Sequence, residues 1–385
     1  MKKKVKINFV CLGILLLAMM FTSCSDPQLT VPTSLHATFE GMRTFCEALD
    51  GDIHFIGSGI EEVYGIDYDN LGCKNCHDSS NTDEPDDDVC NNCHTDLVNY
   101  EDEIENETCL GCHARQSKEA ELEITDVHAS NTETDECTDC HSLKEMHGDV
   151  AGISDPYQSM WDPGATDTTC LSSGCHSEAE LSTANHTTHK ETLHCSACHL
   201  QTVISCYNCH FDTFMDSGDK KSAGAKKDWV FLVNDEDGKV RSGSFQSLVY
   251  QDESFVVFAP FHSHSVTKDA RICSECHNNE AIQELTADDK ITVAEWDEVT
   301  STLTQKQGVI PVVDGKMELA YLNYDSTSNT WSLVGTTTDN TQYGYCTPLT
   351  DAQITMLKMD VGALKQYIVD NRLMDEATLE KLEIK

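Results

Sequence analysis

The sequence has 385 residues, of which 39% are hydrophobic, and its formal net charge is −40 at pH 7. A chain this acidic is expected to be soluble, to repel small anions at long range and to attract cationic partners. It argues against nucleic acid as a partner, because nucleic acid binds basic surfaces. The 20 cysteines argue against a protein that stays in a reducing cytoplasm.

The N-terminus has the features of an export signal. Four lysines precede an apolar run, Phe9 to Phe21, that is too short to span a membrane as a helix. Small residues then precede Cys24, an arrangement that resembles a bacterial lipoprotein signal. We expect residues 1–23 to be removed and Cys24 to be lipidated; the alternative is an ordinary secretory signal with an incidental cysteine. The mature protein would then be exported and lipid-anchored, in the periplasm or at the outer membrane or cell surface.

Residues 24–72 form an N-terminal lead, and residues 73–277 then hold eight cysteine pairs that are each followed directly by a histidine. Seven pairs are strict C-x-x-C-H, and one has four residues between its cysteines. The eight motifs are Cys73, Cys76 and His77; Cys90, Cys93 and His94; Cys109, Cys112 and His113; Cys137, Cys140 and His141; Cys170, Cys175 and His176; Cys195, Cys198 and His199; Cys206, Cys209 and His210; and Cys273, Cys276 and His277. Each motif is named below by its histidine.

C-x-x-C-H is the attachment signature of c-type haem. The two thiols form thioethers with the haem vinyl groups, and the histidine binds the iron from the proximal side. A zinc site would use the cysteine pairs but does not require a histidine after every second cysteine. The sequence therefore predicts eight covalent haem c groups.

Eight haems on 205 residues leave little room for an ordinary apolar core. We expect a multihaem cytochrome c fold that is mostly irregular, with short helices around stacked haems. The β-branched and aromatic runs at about residues 228–260, with a turn at Asp237-Gly238, predict a small antiparallel β element inside this region.

Residues 278–385 contain no haem motif and are expected to form an α+β subdomain or a cover on the haem region. The segment Thr292 to Gln305 is interpreted as a helix. The runs Val309 to Val313 and Met317 to Asn323 are interpreted as a hairpin, and Thr350 to Gln353 as a capping box that opens a C-terminal helix.

Nine of the 17 histidines lie outside the motifs, and they are candidates for the second axial ligand of each iron. We expect distal ligands from His36, His54, His128, His147, His186, His189, His194 and His264. His262 is the expected spare in this count, since His262 and His264 point to opposite sides of an extended backbone. Iron bound by two histidines has no open position, whereas an enzyme needs at least one. The count neither requires nor excludes such a vacancy.

Cys46 and Cys346 remain after the motifs and the signal are assigned. In an oxidising compartment they could form a disulfide, but their separation along the chain says nothing about their distance. The sequence leaves this pairing open.

The eight motifs, with the stretch from Cys206 to His210 and on to Phe258–His264, make the chain resemble the exported multihaem (octahaem) c-type cytochromes of anaerobically respiring bacteria. The expanded His176 motif is similar to one in small tetrahaem electron carriers. Octahaem enzymes also exist, among them the hydroxylamine oxidoreductase, nitrite reductase and tetrathionate reductase families. The lysine-ending motif of the octahaem nitrite reductases is absent.

The resemblance implies a membrane-anchored electron carrier in anaerobic or extracellular respiration, with no catalytic residue. Its partners would be other cytochromes or redox proteins, or an extracellular metal oxide or redox shuttle. One alternative is an octahaem oxidoreductase that acts on a small nitrogen or sulfur compound, and another is a subunit of a cytochrome filament.

Overall fold

The computed structural model describes residues 34–38, 40–71, 104–129, 136–148, 157–172 and 174–370, together with Cys93 and Thr134. The predicted signal and the lipidation residue Cys24 lie outside these ranges, and so do five predicted haem-binding residues: Cys73, Cys76, His77, Cys90 and His94. Among the helices that are described, none has both the length and the apolar character needed to cross a membrane.

Short helices dominate the first half of the described chain. They are α1 (Leu35–Thr38), α2 (Glu40–Glu47), α3 (Ile60–Tyr64), α4 (Asn106–Leu110), α5 (Ala114–Glu121), α6 (Cys137–Cys140), α7 (Leu143–His147), α8 (Ala184–His189), α9 (Cys195–His199) and α10 (Phe211–Ser217). Four more follow: α11 (Cys273–Cys276), α12 (Glu280–Asp288), α13 (Asp351–Leu357) and α14 (Val361–Asp370). Three haem motifs begin at the first residue of a short helix, α6, α9 or α11.

A nine-stranded mixed sheet is the largest element of the described structure. Its strands are β1 (Phe55–Ile56), β2 (Ser205–His210), β3 (Lys221–Lys226), β4 (Trp229–Asp235), β5 (Val240–Tyr250), β6 (Glu253–Pro260), β9 (Gly308–Pro311), β13 (Asn340–Gly344) and β14 (Cys346–Thr347). The main path runs β1-β13-β6-β5-β2-β3, and β4 pairs with β5, β9 and β14. The pairs β2·β5, β4·β9 and β6·β13 are parallel.

The remaining strands form two smaller sheets. Strands β7 (Ile291–Asp297), β8 (Thr302–Gln305) and β10 (Met317–Leu319) pair in the order β10-β7-β8. Strands β11 (Tyr321–Asp325) and β12 (Thr330–Gly335) form a hairpin.

The core lies against the large sheet. Trp229, Phe231, Phe245 and Phe258 are each at most 1% exposed, and their rings pack at centroid distances of 5.1 to 6.2 Å. Strand β4 is buried along nearly its whole length, which explains its unbroken apolar run. Each aromatic side chain buries a large apolar area, so this cluster contributes strongly to stability.

The expectation of a mostly irregular fold with short helices around stacked haems is wrong. The strands within residues 229–260 do pair antiparallel, β4 with β5 and β5 with β6, but they belong to a much larger sheet. The large sheet is mixed, and it draws strands from the lead, from the haem region and from the tail. The physical reason is that the apolar residues are concentrated between about residues 197 and 357, where they build an ordinary protein core. Among the described motifs, the one from Cys206 to His210 lies within the large sheet as β2.

The local predictions in the tail have mixed outcomes. The segment from Thr292 to Gln305 is not helical, because it forms the antiparallel strands β7 and β8. The predicted hairpin is also wrong, because β9 pairs with β4 and β10 with β7. The capping box is confirmed: Thr350 and Gln353 cap α13 reciprocally. The turn at Asp237-Gly238 is confirmed as well, since Gly238 has a positive φ and joins β4 to β5.

Cys46 and Cys346 are both buried, and no bond joins the two thiols. They belong to different hydrophobic clusters, and the Cys346 thiol lies 3.6 Å from the carbonyl oxygen of Phe258. The structure therefore does not contain the disulfide considered from the sequence.

Candidate haem-binding sites

Four pairs of histidine rings face each other across the described structure. Each pair joins one motif histidine to one histidine from outside the motifs. The pairs and their ring-centroid distances are His36–His113 at 5.9 Å, His128–His176 at 6.3 Å, His141–His264 at 6.4 Å and His186–His199 at 6.1 Å.

These distances suit two imidazoles on opposite sides of one iron. Each Fe–N bond of about 2 Å, with about 1 Å from the nitrogen to the ring centre, gives a centroid separation of ~6 Å. Ordinary packed aromatic rings also lie at such distances, so the distance alone does not identify an iron site. The stronger indication is that each pair joins a motif histidine to a histidine from outside the motifs. The His176 and His264 side chains are 56% and 58% exposed, so the polypeptide alone does not enclose these rings.

A buried carboxylate positions His264. The Ser263 hydroxyl donates to Glu119 Oε1 at 2.5 Å, and the backbone N–H of His264 donates to Glu119 Oε2 at 3.2 Å. The Nδ1 of His264 lies 3.3 Å from the same oxygen, and this hydrogen bond raises the pKa of His264. Helix α5 carries Glu119, so it fixes a histidine that lies 145 residues further along the chain.

A second buried carboxylate holds the opposite ring. The Nδ1 of His141 lies 2.9 Å from Glu145 Oε2, four residues further along the chain. The other oxygen of Glu145 accepts hydrogen bonds from the backbone of Asp167 and Thr168 at 2.6 and 2.7 Å. Burial acts to raise the pKa of Glu145, but the hydrogen bonds from His141 and Thr168 outweigh it and hold the pKa below its usual value.

Other candidate ligands are oriented by backbone carbonyls. The Nδ1 atoms of His199 and His277 lie 3.0 Å from the carbonyl oxygens of Thr267 and Met356, respectively. The Nδ1 of His189 lies 3.0 Å from the carbonyl oxygen of Asn185. A hydrogen bond of this kind places the proton on Nδ1 and leaves the Nε2 lone pair for a metal. These residues therefore fit the axial ligands of haem iron.

His189 is the candidate partner of His277. The pKa of His277 is lowered mainly by burial, and also by the nearby charge of His189. His36 is similar: burial, and then His113, lower its pKa to about 4. A neutral imidazole is the form that binds iron, so burial favours that form of His36.

Three further candidates have other contacts in the described structure. His54 stacks on Tyr345 at 4.6 Å and lies 2.5 Å from Glu236 Oε1. His194 Nε2 lies 2.9 Å from Asp237 Oδ2, and His262 packs beside Trp161 at 5.8 Å.

His147 is close enough to His36 to affect its charge. The His77 motif and His94 lie outside the described residues, so their partners stay predictions.

The group His194, Asp235 and Asp237 has three atoms close enough to hold a cation. However, a guanidinium nitrogen of Arg241 already lies 2.7 Å from Asp235 and 2.8 Å from His194 Nε2. The positive charge of Arg241 compensates these carboxylates, so the group is explained as an ion pair.

Cysteines of different motifs lie near one another and connect five of the motifs in a series. The backbone supports this proximity: the N–H of Cys137 donates to Asn106 at 2.8 Å, and Thr168 Oγ1 donates to the carbonyl of Cys140 at 2.6 Å. The thiols of two pairs are hydrogen-bonded, Cys109 with Cys137 and Cys170 with Cys195. In two other pairs, Cys140 with Cys175 and Cys198 with Cys276, the thiols are near enough for the charge of one to affect the pKa of the other. The series therefore runs His113, His141, His176, His199, His277.

The predicted attachment cysteines that stand directly before the motif histidines differ in their surroundings. Cys112, before His113, is exposed, whereas Cys209, before His210, is half-buried. Cys209 lies within strand β2, where its backbone is paired with Ser222 of β3 and with Leu248 of β5. Cys76, before His77, lies outside the described residues. Haem attachment at Cys76, Cys112 and Cys209 therefore stays a prediction from the spacing of the motifs.

The hydrogen-bond partners that orient the histidines were not found by sequence reasoning. Glu145 had a weak signal, since it lies four residues after His141 at the spacing of one helical turn. No sequence pattern pointed to the other partners, which are Glu119, Thr267 and Met356. Each of them contacts a histidine that is far away in the sequence. The predicted attachment cysteines and histidines from Cys109 to His277 all lie within the described structure, and Cys93 is the sole described member of its motif.

The chain matches no family model, and no curated protein or solved structure is significantly similar to it.

Proposed function

We propose that this protein is a membrane-anchored octahaem c-type cytochrome that carries electrons in anaerobic or extracellular respiration. The observation that supports the proposal best is the pairing of four motif histidines with four histidines from outside the motifs. Haem, when bound, supplies a one-electron iron centre. Two histidines per iron leave no position for a substrate, which suits electron transfer.

The series of neighbouring motifs supports the same role. Five motifs are adjacent from His113 to His277, so the chain holds several attachment points close together rather than scattering them. The partners we propose are other cytochromes or redox proteins, or an extracellular metal oxide or soluble redox shuttle. Complementary surfaces would be basic, because the chain is strongly acidic.

The intact mass of the mature protein is expected to show eight haem additions, one for each motif. Electron paramagnetic resonance of the oxidised protein should show mainly low-spin iron with two histidine ligands. Seven additions would mean that one motif is not loaded, and fewer than six would contradict the octahaem proposal.

The Cys24→Ser variant is expected to leave the membrane fraction or to remain unprocessed. The reason is that serine lacks the thiol that receives the lipid, and several acyl chains on one residue are what anchor such a protein stably. Fractionation followed by haem staining measures the distribution, with Cys11→Ser as the matched control inside the same signal. Retention of processed Cys24→Ser in membranes would contradict lipidation at this residue.

The runner-up is an octahaem oxidoreductase that acts on a small nitrogen or sulfur compound. One observation favours it: in the described structure the ring of His210 packs against Tyr324 and its Nε2 lies 2.5 Å from Asn323 Oδ1, whereas the four paired motif histidines each face a histidine from outside the motifs.

A further inference from the structure

A buried arginine joins the last two motifs of the series. Arg271 lies two residues before the His277 motif, and its backbone N–H donates to the carbonyl oxygen of Cys198 in the preceding motif at 3.0 Å. Its guanidinium lies at the end of helix α9, where Nη2 donates to the carbonyl oxygens of Leu200 and Gln201 at 2.6 and 2.9 Å. Arg271 therefore connects the two motifs through its backbone and through its side chain.

The positive charge of Arg271 is only partly balanced. The side chain is 10% exposed, and a guanidinium stays protonated at any pH that a protein meets. In the part of the chain that the structure describes, its one acidic partner is Glu275, which lies 3.4 Å from Nη1 and is 45% exposed. The Nε atom of Arg271 is buried and has no acceptor among the described residues. Because such a partly exposed ion pair is weak, much of the positive charge remains uncompensated at a site with little solvent.

This charge lies close to one attachment thiol of each motif. Cys198 and Cys276, which directly precede the two motif histidines, are both half-buried. Burial raises the pKa of both thiols, and the charge of Arg271 acts in the opposite direction on each of them. A haem at either motif would be joined to these sulfurs by a thioether, so the same charge would act on both haems.

One short segment places this charge and also orients a candidate ligand. The Nδ1 of His199 lies 3.0 Å from the carbonyl oxygen of Thr267, and the backbone N–H of Thr267 donates to the carbonyl of His199 at 2.8 Å. The ring of His199 faces His186 at 6.1 Å. The residues at this motif therefore fit a haem iron between two imidazoles, and residues 267–271 hold both the ring and the guanidinium in place.

The His141 motif, earlier in the series, has the opposite charge around it. Its ring bonds the buried carboxylate of Glu145, and the facing ring of His264 bonds that of Glu119. Negative charge next to the ligands favours ferric iron, whereas positive charge favours ferrous iron, which carries one positive charge less. The series therefore runs from an acidic site towards a basic one.

We propose that Arg271 raises the reduction potentials of the haems at the His199 and His277 motifs, so that electrons accumulate at this end of the series. Arg271 acts here as a positioning residue for charge and binds no iron. The inference rests on the proposed haem function, and it adds the order in which the sites accept electrons, one electron for each ferric iron.

Two variants separate the charge of Arg271 from its hydrogen bonds. Arg271→Gln removes the charge and keeps an amide that can donate to a backbone carbonyl, whereas Arg271→Lys keeps the charge and loses the planar donor group. In a spectroelectrochemical titration of the full-length holoprotein, Arg271→Gln should lower two of the highest potentials. We expect a change of about tenfold in each one-electron equilibrium, which corresponds to about 59 mV. Arg271→Lys should stay close to wild type.

The His186→Ala background identifies one of the two haems. This change removes the ring that faces His199, so the haem at this motif should become high-spin and have a spectrum that can be followed separately. Adding Arg271→Gln should lower the potential of this high-spin haem.

Arg43→Gln is the matched control. The Arg43 side chain is 18% exposed, and its guanidinium lies 2.6 and 2.7 Å from Glu47 and Asp69, so its charge is balanced. This variant should leave the highest potentials unchanged.

Unchanged potentials in folded Arg271→Gln, or an equal decrease in Arg271→Lys, would overturn the inference and leave the electron-carrier proposal standing. If Arg271→Gln does not fold, Glu275→Gln decides the matter. It removes the partial counter-charge and should raise the same two potentials by a smaller amount, and a decrease or no change would overturn the inference. A haem count below six would instead contradict the proposed function itself.

Discussion

The His264→Ala variant is expected to change one iron from low-spin to high-spin. His264 faces His141 at 6.4 Å, and alanine cannot bind iron, so the haem at the His141 motif would lose its sixth ligand. Electron paramagnetic resonance should show one additional high-spin iron, and the reduced variant should bind one more carbon monoxide than wild type.

His262→Ala is the matched control, two residues away on the same segment. His262 packs beside Trp161, and its ring faces no motif histidine in the described structure. This variant should leave the spin-state distribution unchanged. If His262→Ala produces the high-spin iron and His264→Ala does not, then the assignment of these two residues is reversed.

The second large effect concerns the reduction potential of the haem proposed at the His141 motif. Both rings at the His141 site donate to buried carboxylates, Glu145 and Glu119, which are 7% and 3% exposed. An anionic acceptor makes an imidazole a stronger donor and stabilises ferric iron more than ferrous iron, so it lowers the reduction potential. Among the described histidine pairs, this is the one with a buried carboxylate on each ring, so it should have the lowest potential.

Glu145→Gln and Glu119→Gln are each expected to raise the lowest potential of the protein by about 60 mV. The figure follows if each charge-assisted hydrogen bond favours the ferric state by about 1.4 kcal/mol, since a tenfold change in a one-electron equilibrium corresponds to about 59 mV. A spectroelectrochemical titration measures the shift. The double variant should shift it further.

Glu180→Gln serves as the control for this pair. Glu180 lies 3.7 Å from His176 Nδ1, and its side chain is 59% exposed. Solvent screens its charge, so Glu180→Gln should change the reduction potential much less than the two buried variants do. An equal shift from Glu180→Gln, or an unchanged lowest potential in both buried variants, would contradict the assignment.

Local features of the fold could be predicted from the sequence where neighbouring residues determine them. Three such features are the apolar run from Trp229, the turn at Gly238 and the cap at Thr350. Each depends on residues only a few positions apart in the sequence. The parallel pairs β4·β9 and β6·β13 could not be predicted, because each joins strands separated by more than 70 residues. The segment Thr292 to Gln305 is not helical because it forms the paired strands β7 and β8, and the alternation of apolar and polar residues near its start suits a strand.

The same distinction applies to the candidate sites. The spacing of cysteines and histidines predicts the attachment residues, since haem attachment requires them to be close together in the chain. The partner of each motif histidine depends on folding, as with His141 and His264, which lie 123 residues apart. His210 had the same motif as its neighbours, and its different surroundings come from a hairpin more than 100 residues away.

The facing histidines also bear on the topology of the chain. If both rings of a pair hold one haem iron, as proposed, the pair would close a loop between remote segments, as a disulfide does in a small secreted protein. The loop between His141 and His264 is 123 residues long, and that between His36 and His113 is 77. A cross-link over a loop of this size removes about 4 to 5 kcal/mol of chain entropy from the unfolded state. Haem binding would thus raise the free energy of unfolding, also in parts of the chain that form few strands.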